Sequence, residues 1–212
     1  FNSIGNNFAI STSDLASSLT KSASALVTAG VDLEQSAALL TGANTIMQDP
    51  DTVSQGLKVI ALRVRGVKSE LEDMGEETEG ILNTSKLQDK IKALTGVDLL
   101  DDTNGFRNIY DILMEIADVW DDLDSMSQAS VIELMAGKNR ANVFTSIMKQ
   151  ADTIKSAYNI ALGSEGSAMA ENEKHLNSIQ GRMELFTNAL QTMWVNALDS
   201  DVIKFFVDAG TA

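Results

Sequence analysis

Apolar residues recur at alternating intervals of three and four along much of this chain, which is the pattern of one face of an α-helix. Three stripes continue over successive heptads, and we call them the first, second and third seams. The first seam is Val53, Leu57, Ile60, Val64, Val67, Leu71 and Met74. The second is Phe106, Ile109, Leu113, Ile116, Trp120 and Leu123, and the third is Leu176, Ile179, Met183, Phe186, Leu190, Met193 and Ala197. The pattern predicts long amphipathic helices near 53–74, 106–123 and 167–198.

Capping residues predict where other helices begin and end. The expected helices are 14–29 after Ser13, 33–48 after Asp32, 86–94 after Ser85, 127–136 from Ser127, and 139–161 with a break near Ala151. Gln35 completes a capping box with Asp32, and Asp49-Pro50 is the clearest helix start in the sequence. Gly56 and Gly66 lie inside the first seam, where each either lets a neighbouring helix approach or is merely tolerated.

The sequence therefore predicts an all-α fold, a multi-helix bundle with two or three long helices at heptad spacing. Proline occurs once, at Pro50, so little interrupts helix formation. Residues 1–212 are expected to form one helical fragment, or two halves, 13–75 and 106–207, joined by an irregular segment near 76–105. The first dozen residues are expected to be irregular, and 97–100 a brief extended piece. Because the chain opens at Phe1 and ends mid-pattern, we expect a piece of a longer polypeptide.

The charge balance argues against nucleic acid as a partner. The net charge is −14 and the pI is about 4.3, whereas phosphate backbones are bound by clustered lysine and arginine. The one basic cluster, Arg63, Arg65 and Lys68, is interpreted as a solvated helix face offset by nearby glutamates. There is no cysteine, and no uncharged run approaches the roughly 18 residues of a membrane span.

Candidate chemistry is weak throughout the sequence. Glu171 and His175 lie one turn apart and could share a metal ion, but two ligands make a poor site, so an exposed polar pair is favoured. Residues 101–105 resemble a calcium loop whose first ligand position is Leu100, so a helix-capping turn is favoured. Asp121, Asp122 and Asp124 are interpreted as a solvated acidic corner. We expect no catalytic residue, no cofactor and no enzyme activity.

A resemblance to a known family rests on two motifs, NGFRNIYDILMEIADVWDDL and ELMAGKNRANVF. The segment resembles the core region of phage tail tape-measure proteins, as found in phages and prophages of Gram-positive bacteria. The resemblance continues upstream through TIMQDPDTVSQGLKVIALRVRG and downstream through GSAMAENEKHLNSIQGRMELFTNALQTMW, covering roughly Leu33 to Trp194. These motifs contain no arrangement of residues typical of a catalytic site.

The resemblance implies a structural role in tail assembly. Tape-measure proteins are mainly helical chains that occupy the tail tube, set its length and are expelled when DNA is delivered. The implied partners are the tail tube protein, tail assembly chaperones and tail tip or baseplate proteins. The implied location is the tail lumen of the virion, after assembly in the bacterial cytoplasm.

The third seam, together with Trp194, is the candidate interaction surface, either with flanking polypeptide or with another chain, including a second copy. The first and second seams are candidate core positions. The main alternative to a tape-measure segment is a stand-alone helical adaptor that binds proteins in the bacterial cytoplasm. A metal-dependent enzyme using Glu171 and His175 is a third hypothesis.

Overall fold

The computed structural model describes residues 2–103 and 105–163, and these residues are all-α, as expected. The helices are α1 (Asn2–Asn7), α2 (Thr12–Thr28), α3 (Leu33–Met47), α4 (Pro50–Val64), α5 (Lys68–Asp73), α6 (Thr84–Thr95), α7 (Ile109–Val119), α8 (Ser125–Met135), α9 (Ala141–Lys149) and α10 (Ala151–Leu162). A 3-10 turn, Trp120–Asp122, follows α7. Within the described residues, the extended piece expected at 97–100 is reduced to an isolated bridge between Leu100 and Phe106.

Helix α3 lies at the centre of this unit. Every residue from Gln35 to Asn44 is buried, and the helix contacts α2, α4, α9 and α10. A helix surrounded on all sides cannot carry a charged face, and 35–44 contains no charged residue. The segment is instead built from small and aliphatic side chains, which let several helices pack around one axis.

Two glycines permit close approach of neighbouring helices, one on α3 and one on α4. A Cβ atom added to Gly42 on α3 would lie 2.2 Å from Cγ1 of Ile154 on α10. A Cβ added to Gly56 on α4 would lie 2.7 Å from both γ-methyl groups of Val143 on α9. Of the two alternatives for Gly56, close approach of a neighbouring helix is therefore the correct one.

The continuous helix expected over 53–74 is wrong, because the chain turns at Gly66. Helix α4 ends at Val64, Gly66 has φ +68°, and a new helix, α5, begins at Lys68. A left-handed residue stops the hydrogen-bond ladder, and glycine adopts it without steric cost. The heptad spacing survives the turn, since Leu71 of α5 is fully buried like the seam residues of α4.

The second expected long helix is also shorter than its apolar pattern. Helix α7 begins at Ile109 rather than Phe106, because Asn108 caps it by accepting a hydrogen bond from the Tyr110 N–H. The regular helix ends at Val119, before the 3-10 turn. Described helices run from 6 to 17 residues, so neither the coiled-coil-like helix expected for the first seam nor the full-length helix expected for the second is found.

Two helix caps were predicted correctly, and in each a second residue supports the capping side chain. The capping box of Asp32 and Gln35 is present, and Asp49 caps α4 with Pro50 in its first turn. Three expected serine caps were wrong. The caps are instead Ser11 for α2, Asn83 for α6 and Asp124 for α8, each accepting a backbone N–H. The first dozen residues are only partly irregular, since Asn2–Asn7 form α1 and residues 8–11 are irregular.

All described residues belong to one compact unit, Phe1–Glu165. The segment 76–105, expected to join two halves, lies inside this unit and carries α6. The break expected near Ala151 is found, because α9 ends at Lys149 and α10 starts at Ala151. The expected helix 167–198, the loop 163–166 beyond its first residue and the apolar tail 202–207 lie outside the described residues.

Gly42→Ala is expected to destabilise the protein by about 1–3 kcal/mol, because the added methyl overpacks the contact with Ile154. The measurement is the free energy of unfolding in urea. In an Ile154→Ala background the same substitution should cost less, since the clashing Cγ1 atom is gone. Gly163→Ala is the matched control, because its added Cβ would lie at least 3.4 Å from its neighbours. Additive costs for Gly42 and Ile154 would contradict the contact.

Candidate functional site: a cleft between α6 and α8

A cleft of about 540 Å³ separates α6 and the preceding loop from α8. Aliphatic side chains make up half of its lining and polar or charged side chains most of the rest, and one of the charged side chains, Arg63, is buried. The lining residues are Arg63, Glu79, Gly80, Ile81, Leu82, Leu87, Lys90, Ala93, Leu94, Ser130, Glu133 and Leu134. The volume falls within the range of small-molecule sites.

Arg63 reaches the cleft from the last turn of α4. Its Nη1 donates to the Glu77 carbonyl at 3.0 Å, and its Nη2 donates to the Glu133 carbonyl at 3.2 Å. The second bond is to a carbonyl near the C-terminal end of α8 that also accepts the Gly137 N–H, and the helix dipole favours a cation there. Burial lowers the pKa of the Arg63 guanidinium, although Glu76, Glu77 and Glu133 act in the opposite direction. An arginine keeps its charge in either case.

Gly137 makes room for the Arg63 guanidinium. It follows α8 with φ +70°, and an added Cβ would lie 2.9 Å from Nη1 and 3.0 Å from Cζ of Arg63. Any larger residue would therefore both strain the backbone and displace the guanidinium. The glycine of the AGKNR motif is explained by this contact.

The next motif residues form a buried ion pair beside the cleft. Arg140 donates through Nε to Oε1 of Glu76 at 2.8 Å, and its Nη2 lies 2.6 Å from the same oxygen. Nδ2 of Asn139 donates to the other Glu76 oxygen at 3.2 Å. The Glu76 side chain is 6% exposed and that of Arg140 is 19% exposed. The pair thus ties the turn after α8 to the loop after α5.

The FRNIY motif has a similar architectural role at the start of α7. Nδ2 of Asn108 donates to the Gly30 carbonyl at 2.8 Å and to Oε1 of Gln35 at 2.7 Å. The preceding Arg107 forms an ion pair with Glu115 and donates to the Asp98 carbonyl at 2.7 Å. These bonds join α7 to the α2–α3 turn and to the loop after α6.

The basic cluster is not a solvated face, so that interpretation was wrong. Arg63 is 8% exposed and lies in the cleft lining. The Arg65 guanidinium lies 4.8 Å from the centre of the Phe106 ring, a cation–π distance. Of the three residues, Lys68 is exposed.

Seam residues of the described helices lie in the core. Those that are at most 7% exposed are Val53, Leu57, Ile60, Val64, Leu71, Ile109, Leu113, Ile116 and Trp120. Phe106 is half-buried because it lies before α7, under Arg65. The Trp120 ring packs edge-on against Phe144, with 5.8 Å between ring centres.

The third seam lies outside the described residues, as do Glu171 and His175. The candidate interaction surface Leu176, Ile179, Met183, Phe186, Leu190, Met193 and Trp194 therefore stays a prediction. The same holds for the polar pair and for its metal-binding alternative.

The Asp101 loop has the geometry of a turn closed by its own carboxylate. Oδ1 of Asp101 accepts from the N–H and hydroxyl of Thr103, at 2.8 and 2.7 Å, and from the N–H of Gly105 at 2.8 Å. These bonds lower the pKa of the Asp101 carboxyl group. In the described ranges, no group of three or more acidic or histidine side chains is placed to hold a metal ion.

Asp124 is exposed beyond the end of α7, as expected for a solvated acidic corner, and it also caps the next helix. Its Oδ1 accepts from the N–H groups of Met126 and Ser127, at 2.9 and 3.0 Å, so it caps α8. The bonds from Ser127 and Met126 lower the pKa of its carboxyl group. Asp121 and Asp122 are exposed in the 3-10 turn.

The cleft was missed because its residues come from separate parts of the chain. Leu82 lies between the predicted helices, whereas Leu94 and Leu134 lie on two different ones, 86–94 and 127–136, so no spacing in the sequence brings them together. One signal was available, since Arg63 directly precedes Val64 of the first seam, in a segment where its neighbours 59–62 are all apolar. A long charged side chain within such a stretch indicates a buried polar contact.

Comparisons with family models and with solved structures do not assign this chain to a known family. No protein-family model matches the chain, and no solved structure matches it. In the part of the chain that the structure describes, no helix has both the length and the apolar character of a membrane span.

Glu76→Gln is expected to destabilise the protein by roughly 3 kcal/mol, because it leaves Arg140 largely buried without a counter-charge. Glu77→Gln is the matched control, since Glu77 is exposed and lies 4.0 Å from Lys138. That change should alter the free energy of unfolding by about 0.5 kcal/mol or less. Equal effects of the two substitutions, measured by urea unfolding, would show that the Glu76 pair adds no stability.

Asp124→Ala is expected to lower the melting temperature at pH 7 and to have a smaller effect at pH 3. The folded-state pKa of Asp124 is lowered, so its contribution is present above the unfolded-state pKa and is lost as the pH falls through the folded-state value. Asp121→Ala is the control, because Asp121 is exposed and does not cap a helix. Melts followed by circular dichroism at both pH values make the comparison, and a pH-independent difference would contradict it.

Proposed function

We propose that this chain is a segment of a phage tail tape-measure protein, with a structural and protein-binding role. The observation that supports it best is where the resemblance motifs lie in the fold. FRNIY and GKNR supply the side chains that join helices to one another: Arg107 and Asn108 at the start of α7, and Gly137 and Arg140 after α8. Residues with these roles preserve a shape rather than a reaction.

The proposal carries a consequence for how such a segment measures length. A continuous helix rises about 1.5 Å per residue, so residues 2–163 as one rod would span roughly 240 Å. The unit formed by these residues folds helices of 6 to 17 residues around α3 instead. A long helix at heptad spacing remains part of the proposal only for the third seam.

The adaptor hypothesis predicts a different parent gene and a different fate. A tape-measure segment belongs to a reading frame of several hundred further residues beside genes for tail proteins. An adaptor is a short reading frame whose product stays in the cytoplasm. The cleft between α6 and α8 fits either role, since both bind other molecules.

The test uses a phage that carries the parent gene. Antibodies to residues 2–163 should detect the chain in purified, DNA-filled virions and fail to detect it in particles that have ejected their DNA. Absence from filled virions would reject the proposal in favour of an adaptor.

An in-frame duplication of residues 2–163 tests the length role separately. Electron microscopy should show tails that are longer by much less than roughly 240 Å, because the inserted unit is folded and not a single rod. Tails of unchanged length would contradict the ruler function. An increase of roughly 240 Å would show that the unit opens into a single continuous helix inside the tube.

A further inference from the structure

The buried guanidinium in the cleft has more donors than partners. Arginine carries five N–H groups, and the two carbonyl bonds of Arg63 use one on each terminal nitrogen. The Nε atom also has no hydrogen-bond partner, but it has almost no accessible surface, so only the terminal nitrogens of Arg63 are available to a ligand. None of the ion pairs among the described residues includes Arg63, which is 8% exposed, although the charges of Glu76, Glu77 and Glu133 act on it from a longer distance. Buried unpaired donors are rare, and an anionic oxygen is their strongest partner.

The other lining residues determine what the rest of such a ligand can be. Ile81 and Leu87 are buried, and Leu82, Leu94 and Leu134 are half-buried, so aliphatic surface continues from the interior to the cleft mouth. Lys90 adds a second cation, while the exposed Glu79 and Glu133 stand in the same lining. Two cations and two carboxylates leave the lining without net charge. A ligand with one negative charge and an apolar body suits this balance better than a polyanion.

We propose that the cleft binds a free aliphatic carboxylate of medium chain length. One carboxylate oxygen accepts from the second N–H of a terminal nitrogen of Arg63, and Lys90 is the second cation available to the headgroup. The hydrocarbon chain lies along Leu87, Leu94 and Leu134. This inference does not depend on the tape-measure proposal, because it uses only the cleft, its two cations and its aliphatic lining.

The binding experiment uses the full 212-residue chain with ¹³C-labelled leucine methyl groups and three probes. Decanoate carries both chemical features, decanol carries the chain without the charge, and acetyl-leucyl-leucine carries a carboxylate at a peptide C-terminus. Decanoate should shift the methyl signals of Leu82, Leu87, Leu94 and Leu134 saturably, and decanol should bind at least tenfold more weakly. Equal affinity for decanoate and decanol, or no saturable shift, would overturn the proposal. Tighter binding of the peptide would replace the free ligand by a protein C-terminus.

Ala93→Trp tests the location without touching the core. Ala93 is exposed and lines the cleft, so an indole there should fill it and reduce decanoate affinity at least tenfold. Ala129→Trp on α8 is the matched control, because Ala129 is also exposed and does not line the cleft. It should leave affinity unchanged. Undiminished decanoate binding by the Ala93 variant would place the ligand elsewhere and overturn the proposal.

Arg63→Lys tests the headgroup contact. A lysine keeps the charge and loses the planar fork, so decanoate affinity should fall while decanol affinity stays the same. The substitution also removes at least one of the two carbonyl bonds of Arg63 and could destabilise the fold. The melting temperature of the variant is therefore measured first, and the Ala93 variant, which keeps Arg63, tests the cleft independently. A folded Arg63→Lys protein with unchanged decanoate affinity would show that Arg63 does not hold the ligand.

Discussion

Close packing around α3 is the constraint on which the rest of this structure depends. A helix that contacts α2, α4, α9 and α10 must present small or aliphatic side chains in every direction. Gly42 sets the limit, because the contact with Ile154 leaves no room for a methyl group. In an interior packed this closely, adding or removing one carbon atom shifts the neighbouring side chains. The positions of α9 and α10 are therefore determined by the side chains on the surface of α3.

Polar side chains then fix the parts that apolar packing leaves free. Hydrophobic contacts are non-directional, so they do not determine where a turn lies over the surface of a helix. Asn108 holds the start of α7 against the α2–α3 turn through two bonds, and Glu76 holds Arg140. Arg63 has the same role between the loop after α5 and the end of α8, with donors left over.

Sequence periodicity predicted the helical class, but it could not predict helix length. A stripe at three-and-four spacing continues across a left-handed glycine, because the chain can turn and still bury the next apolar residue. Gly66 was read as one residue of a helix for this reason, and Leu71 kept its place in the core on a separate helix. The cap of α2 at Ser11 was missed because Ser13 offers the same side chain two residues later. The charged Arg63 within an apolar stretch indicated a buried polar contact, but the cleft itself could not be predicted, because α6 and α8 are distant in sequence and come together only in the folded chain.

The turn at Gly66 also decides how two copies of this chain could associate. Intermolecular coiled coils need an uninterrupted apolar edge that is free to meet its counterpart over several turns. The edge through Val53 and Leu57 is interrupted after Val64 and already covered by helices of the same unit. Any homo-oligomer would therefore use a different surface, and zipper-like dimers through this edge would require the unit to unfold.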